Sequence, residues 1–185
     1  MQRNPERIVK AFLLLLTAGC LASCEKVAEF VEPPTNSMDT EYYEMDFTVE
    51  SSDKNGFQIF SEETYSNDIN NLLVQAGFNP DKIESVILKE ATVNLEGNVN
   101  YPDFDILKFI ELTVYTDLLR EKKVAWSDPV PADLSSLTLD LSEENLLPYF
   151  REGTFIITVQ GFLKQRIYEN LDLHARVKFR VKWKV

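Results

Sequence analysis

From residue 42 to the last residue, apolar and polar positions mostly alternate, the period of a strand with one buried and one wet face. Met45, Phe47 and Val49 take turns with Glu44, Asp46, Thr48 and Glu50, and FQIF follows at 57–60 beyond SSDKNG. Asn-Gly between two such runs predicts a hairpin turn. Residues 83–95, IESVILKEATVNL, predict one long strand whose phase slips near Lys89 and Glu90, as a bulge or kink would cause. Ile110, Leu112, Val114 and Thr116 share the next face, then Val124 with Trp126, then Leu137, Leu139 and Leu141. Phe155, Ile157 and Val159 mark another strand. The last is the clearest, with Leu171, Leu173, Ala175, Val177, Phe179, Val181, Trp183 and Val185 along one side.

Two interruptions have helical spacing. Ile69, Leu72, Leu73 and Ala76 form one helix face, and Gly77 supplies the stop. Ser142 can cap a short turn through Leu146 and Leu147, ended by Pro148 and Gly153. Seven or eight strands with turn signals at short intervals predict an all-β, two-sheet sandwich of Greek-key or jelly-roll type, with one or two short helices in its connections.

The amino end departs from this pattern. AFLLLL at 11–16 is too short to cross a bilayer and sits behind Arg3, Arg7 and Lys10. A basic segment, a short apolar one and then small residues is the plan of a secretory leader. It runs into TAGC at 17–20 and LASC at 21–24, which hold both cysteines of the chain. Both resemble the lipobox of bacterial lipoproteins, whose cysteine receives a diacylglycerol and becomes the first residue after cleavage. LASC is the better match, with Leu21 three places before the cysteine. Cys24 is therefore the expected lipid attachment site and Cys20 the alternative, with a plain secretory leader the third reading. The chain then divides into a leader at 1–23, an acidic tether with Pro33-Pro34 at 24–41, and one sandwich domain at 42–185. Each buried methylene contributes about 0.8 kcal/mol, so the two or three acyl chains of a lipoprotein cysteine would hold firmly where a single chain would not.

Charge narrows the partners. Loss of residues 1–23 removes Arg3, Arg7, Lys10 and Glu6 and moves the formal charge from −11 to −13. Such a surface repels nucleic acid and has no general affinity for anionic headgroups. The last 22 residues run the other way, with seven cations against two acids. Arg176, Lys178, Arg180, Lys182 and Lys184 alternate with the buried row and so share one exposed face. That face is either a contact for an anionic partner or a row that pairs with acids across the strands and guards an edge.

Candidate chemistry is sparse. His174, the single histidine, falls on the outward side with Asp172 and Arg176. One histidine and one thiol expected to be lipidated, Cys20 leaving with the leader, do not make the common zinc geometries, so any metal is expected to be oxygen-bound. Ser51–Glu62 approaches a calcium loop, but Ser51 stands where an acid belongs. Asp103 and Asp105, with Asn100 beside Pro102, are the other calcium candidate, against the ordinary preference of turns for Asx. Glu62-Glu63, Asp103 with Asp105, and Glu143-Glu144 could pair as hydrolase carboxylates only if folding sets two of them across a cleft. No nucleophile elbow or phosphate loop is present. Tyr42, Tyr43, Tyr101, Tyr115, Trp126 and Tyr149 offer aromatic surface. Tyr115 falls off the apolar phase of its strand and is paired here with Trp126 as a candidate for stacking on a glycan.

With LASCEK, SVILKEATVNL, FDILKFIELTVYT, VAWSD and HARVKFRVKWKV, the chain resembles small all-β lipoproteins of Bacteroidota-type Gram-negative bacteria. The resemblance spans most of the chain, and the lipobox is its specific motif. It implies an extracytoplasmic domain anchored through lipid at the cell envelope, on the outer membrane, in a group where many members have no assigned activity. The expected role is a non-catalytic binding or assembly accessory that needs no cofactor. Its partner would be an envelope protein or a glycan. The alternatives are a carbohydrate-binding lipoprotein that assists nutrient capture and a carboxylate-dependent hydrolase.

Overall fold

The computed structural model describes residues 36–51, 55–67, 69–75, 77, 79–97 and 100–184. Cys20, Cys24, the leader and the tether as far as residue 35 lie outside them. The strands are β1 (Asn36–Asp39), β2 (Tyr43–Val49), β3 (Gly56–Ser66), β4 (Ile83–Glu96), β5 (Leu107–Tyr115), β6 (Lys122–Ser127), β7 (Ser136–Thr138), β8 (Asp140–Leu141), β9 (Thr154–Leu163) and β10 (Leu171–Trp183). Two short helices, α1 (Ile69–Gln75) and α2 (Leu147–Phe150), lie in the connections. One sheet runs β1–β10–β4–β7, with β2 beside β1 on the same flank of β10; the other runs β3–β9–β5–β6–β8, and all pairs are antiparallel. The chain passes from β2 to β3, from β4 to β5 and from β9 to β10 by changing sheets. With β2, β10, β4 and β7 in one layer and β3, β9, β5 and β6 in the other, this is jelly-roll connectivity, the two-sheet sandwich that the alternation predicts.

Inward residues of both layers share one core. Phe150, Phe155 and Phe179 pack at its centre, with ring centroids 4.4 Å apart for Phe150–Phe155 and 4.8 Å for Phe150–Phe179. Tyr43 and Tyr65 meet edge to face at 5.2 Å where β2 and β3 approach across the sheets. Burial first, then hydrogen bonding to Glu63, pushes the Tyr65 phenol well above its usual range. On the opposite flank one segment serves both layers: β7 pairs with β4, and β8, one residue later, pairs with β6.

The phase slip in the fourth strand is a bulge. Lys178 faces Glu90 and Phe179 faces Leu88, which leaves Lys89 without a partner position. Thr40 completes the other side of β10 at this point. Its amide donates to the Phe179 carbonyl at 2.9 Å, and its hydroxyl accepts from the Phe179 amide at 3.1 Å.

Four expectations change. The sheet begins inside the stretch read as tether, because Asn36–Asp39 pairs with Arg180–Trp183 through backbone bonds that need no apolar alternation. The runs flanking SSDKNG do not form a hairpin, since β2 and β3 lie in different sheets. Pro148 sits at the start of α2 instead of ending a helix, as a residue without an N–H can do without loss. Asn145 provides the turn into it, accepting from the Leu147 amide at 3.0 Å. In β6 a register shift at Val124 buries both Val124 and Ala125, so Trp126 points outward opposite Glu111.

Candidate functional site

Each sheet has an outer face, and the two differ in chemistry. On the first sheet, β10 runs between β1 and β2 on one side and β4 on the other. Its outward residues therefore meet neighbours from two directions, and the predicted basic row is largely matched there. Arg180 faces Asp39 in register and donates from Nε at 2.8 Å and from Nη2 at 3.3 Å. Lys89, displaced by the bulge, pairs with the same carboxylate. The Arg180 hydrogen bond, with Lys89 adding to it, outweighs burial and holds the Asp39 carboxyl down at about 2. Arg176 donates to the Thr92 hydroxyl at 3.1 Å, lies 3.7 Å from Glu90 and covers the Tyr42 ring at 4.8 Å. Lys178 sits 3.9 Å from the centre of that ring, whose hydroxyl donates to Glu90. Lys184 reaches Glu84 at 3.3 Å. Lys182, in register with Ser37 and Ser85, makes no ion pair among the described residues. Arg176, Arg180 and Lys184 thus adopt the cross-strand pairing that was the alternative to a free contact surface, while Lys178 rests on an aromatic ring and Lys182 has serines opposite it.

The second sheet presents four transverse rows, set by the register of β3, β9, β5 and β6. Phe57, Phe162 and Phe109 form the first; Ile59, Gln160, Glu111 and Trp126 the second; Glu62, Thr158, Thr113 and Lys123 the third; Thr64, Ile156 and Tyr115 the fourth. Phe109 bridges the first row, with its ring 6.4 Å from Phe57 and 6.1 Å from Phe162. Phe57 and Ile59 are 54 % and 59 % exposed, an apolar edge left uncovered on a strand that is otherwise half polar. At the centre of the middle rows Gln160, Thr158 and Thr113 are polar yet buried. Gln160 donates to Glu111 at 2.9 Å, Lys123 lies 3.5 Å from the same carboxylate, and the Thr113 hydroxyl donates to Glu121 at 2.6 Å.

Between these rows lies an open groove of about 360 Å³ lined by Phe57, Ile59, Glu62, Tyr115, Glu121, Thr158 and Gln160. Thr158 is 2 % exposed, and its hydroxyl has no hydrogen-bond partner among the described residues. Burial and a hydrogen bond to Glu62 raise the Tyr115 phenol above its usual range. Of the two residues singled out for stacking, Tyr115 lines this groove. Trp126 lies on the same face, but Lys123 covers its ring at 5.3 Å.

The metal candidates separate. Glu62, the last position of the would-be calcium loop, is a strand residue hydrogen-bonded to Tyr115, and Asp53, its third position, lies outside the described residues. Asp103 and Asp105 do come together, and Asp133 joins them. Their hydrogen bonds explain the grouping: Asp103 accepts from the Asp105 amide and caps a short turn, and Asp105 accepts from the Asp133 amide. His174 pairs with Asp46 across β2, Nδ1 to Oδ1 2.6 Å, rather than with its strand neighbour Asp172.

The site residues missing from the sequence reading are Phe57, Ile59, Phe109, Phe162, Thr158 and Gln160. Alternation marks one face of each strand but does not say which face of β3 is inward, and FQIF at 57–60, with apolar residues on both faces, does not decide it.

No protein-family model matches the chain, and no curated protein is similar to it. Among solved structures, one described as Desmodium yellow mottle tymovirus aligns over 84 % of this chain and 85 % of its own, at 10 % identity and a TM-score of 0.27. A superposition that loose carries nothing about fold or function across to this chain.

Proposed function

We propose that this chain is a lipid-tethered module of a bacterial cell envelope, moored at the outer membrane through Cys24, that binds a partner without catalysis. The contact surface in this reading is the outer face of the second sheet. The observation that carries it is the contrast between a basic row largely matched by its own acids and an apolar edge at Phe57 and Ile59 left exposed beside a polar groove, although Lys108 lies over the neighbouring Phe162 ring at 5.5 Å.

The groove favours a neutral glycan as ligand. Aromatic and aliphatic edges at Phe57, Ile59 and Tyr115 suit the apolar face of a sugar ring. Gln160 and Thr158 on the floor, with Glu62 and Glu121 at the sides, suit its hydroxyls. The two carboxylates disfavour anionic ligands, and a purely apolar peptide would leave the polar floor without partners. Glu62 and Glu121 already accept from Tyr115 and Thr113, a holding role rather than that of a free acid and base.

Saturation-transfer NMR of the full-length chain in detergent with a panel of neutral oligosaccharides tests the glycan reading. At least one sugar should receive transfer, and Phe57→Ala should weaken its binding about tenfold or more. No transfer from the panel, or transfer indifferent to Phe57→Ala, overturns it. Retention of an envelope protein without any sugar signal would replace it with the assembly reading. The tether has its own test: Cys24→Ser should move the chain out of the membrane fraction and abolish an acyl adduct on residue 24.

A further inference from the structure

The end of the first sheet away from Asp39 has a composition that the glycan reading does not use. Asp46 on β2, His174 on β10 and Glu96 on β4 stand on three adjacent strands of one face, with their ligand-capable atoms all within 4.8 Å of one another. Asp172, two residues before His174, lies directly opposite Glu96 and accepts from the Thr48 hydroxyl at 2.6 Å. Like charges placed opposite each other on neighbouring strands cost stability. Here nothing offsets them: among the described residues neither Glu96 nor Asp172 makes an ion pair, and Arg176, the next cation along β10, is engaged with Glu90 and Thr92. Two carboxylates thus gather round one imidazole on adjacent strands, with a third acid, Asp172, on the same face and an excess of negative charge that a divalent cation would offset.

We propose that Asp46, Glu96 and His174 form a divalent transition-metal site, with Asp172 supplying further negative charge. An imidazole nitrogen with carboxylate oxygens suits zinc or its first-row neighbours better than calcium or magnesium, which take oxygen alone. The expectation of a purely oxygen-bound metal overlooked this mixed set, because its members lie far apart in sequence and meet only through strand register. A strand-borne site starts with its backbones fixed, so binding has mainly side-chain rotamers to order.

The test uses the single imidazole as a reporter. In ¹H NMR of the full-length chain, zinc chloride should shift the one set of histidine ring signals and saturate at one ion per chain for this site. His174→Ala should lower zinc affinity measured by calorimetry at least thirtyfold, and Asp46→Asn with Glu96→Gln about tenfold while retaining the histidine signals. All three positions are at the surface, so circular dichroism should report an unchanged fold. Histidine signals that ignore zinc overturn the proposal. So does zinc affinity that survives His174→Ala, which would place the ion elsewhere, the cysteine sulfurs included.

Discussion

The outer faces of the two sheets are built on strands of similar regularity and end up chemically opposite. On the first, the outward residues of β10 from Arg176 to Lys182 are long and basic, and flanking strands supply acids beside Arg176, Lys178 and Arg180. Asp39 alone gathers Arg180 and Lys89. On the second, the equivalent positions of β9 are Ile156, Thr158, Gln160 and Phe162, all uncharged, and the flanking strands add phenylalanine at one end and the acids Glu111 and Glu62 in the middle. A charged row closes on itself because its partners can reach across. A mixed row of rings, amide and hydroxyl keeps an apolar edge and a polar floor open side by side. Net charge along a segment is therefore a poor guide to which face remains available.

The sharpest way to break that contrast is through the backbone beneath the second face. A Cβ built on Gly161 would lie 2.6 Å from the Phe109 carbonyl oxygen and 2.8 Å from the Phe60 ring. Phe60 is the bulged residue of β3, and its ring occupies the space that glycine leaves. The carbonyl cannot move without disturbing the β5–β9 ladder. Gly161→Ala should cost about 2–3 kcal/mol by urea unfolding, in the range of overpacked cores, and should displace Phe109 and Phe162 and so reduce sugar transfer.

A smaller effect is expected on the first face. Asp39 titrates at about 2 in the fold, against about 3.9 for an unfolded aspartate. A depressed carboxyl contributes stability that is complete above the unfolded value and fades as pH falls through the folded one. The wild type should therefore lose this increment between about pH 4 and pH 2. Asp39→Asn should lower stability at pH 7 by about 1 kcal/mol, discounted because the pair is partly exposed. That deficit relative to wild type should shrink across the same window when melting temperature is followed against pH. A deficit that stays constant down to pH 2 would show that the ion pairs carry none of it.

The inward face of nearly every strand was legible because burial imposes a period of two, and the slip at Lys89 was legible because a bulge must break that period. NSMD at 36–39 was not, since its place in the ladder rests on backbone bonds and on Asp39 reaching Arg180. The shift at Val124 was not either: VAWS reads equally well in both phases until Leu112 and Glu111 are set opposite it. The groove and the Asp46–Glu96–His174 cluster join strands far apart in the chain. Residue type indicated Tyr115 and His174, whereas their surroundings depend on register that no local pattern encodes.

The pairing of Asn36 with Trp183 has a topological consequence. Entry to and exit from the sandwich lie side by side in one ladder, so a short linker could join them and the chain could be reopened at a loop such as 164–170 with every strand keeping its neighbours. The architecture is in effect a closed loop, and the point at which synthesis starts is incidental to it.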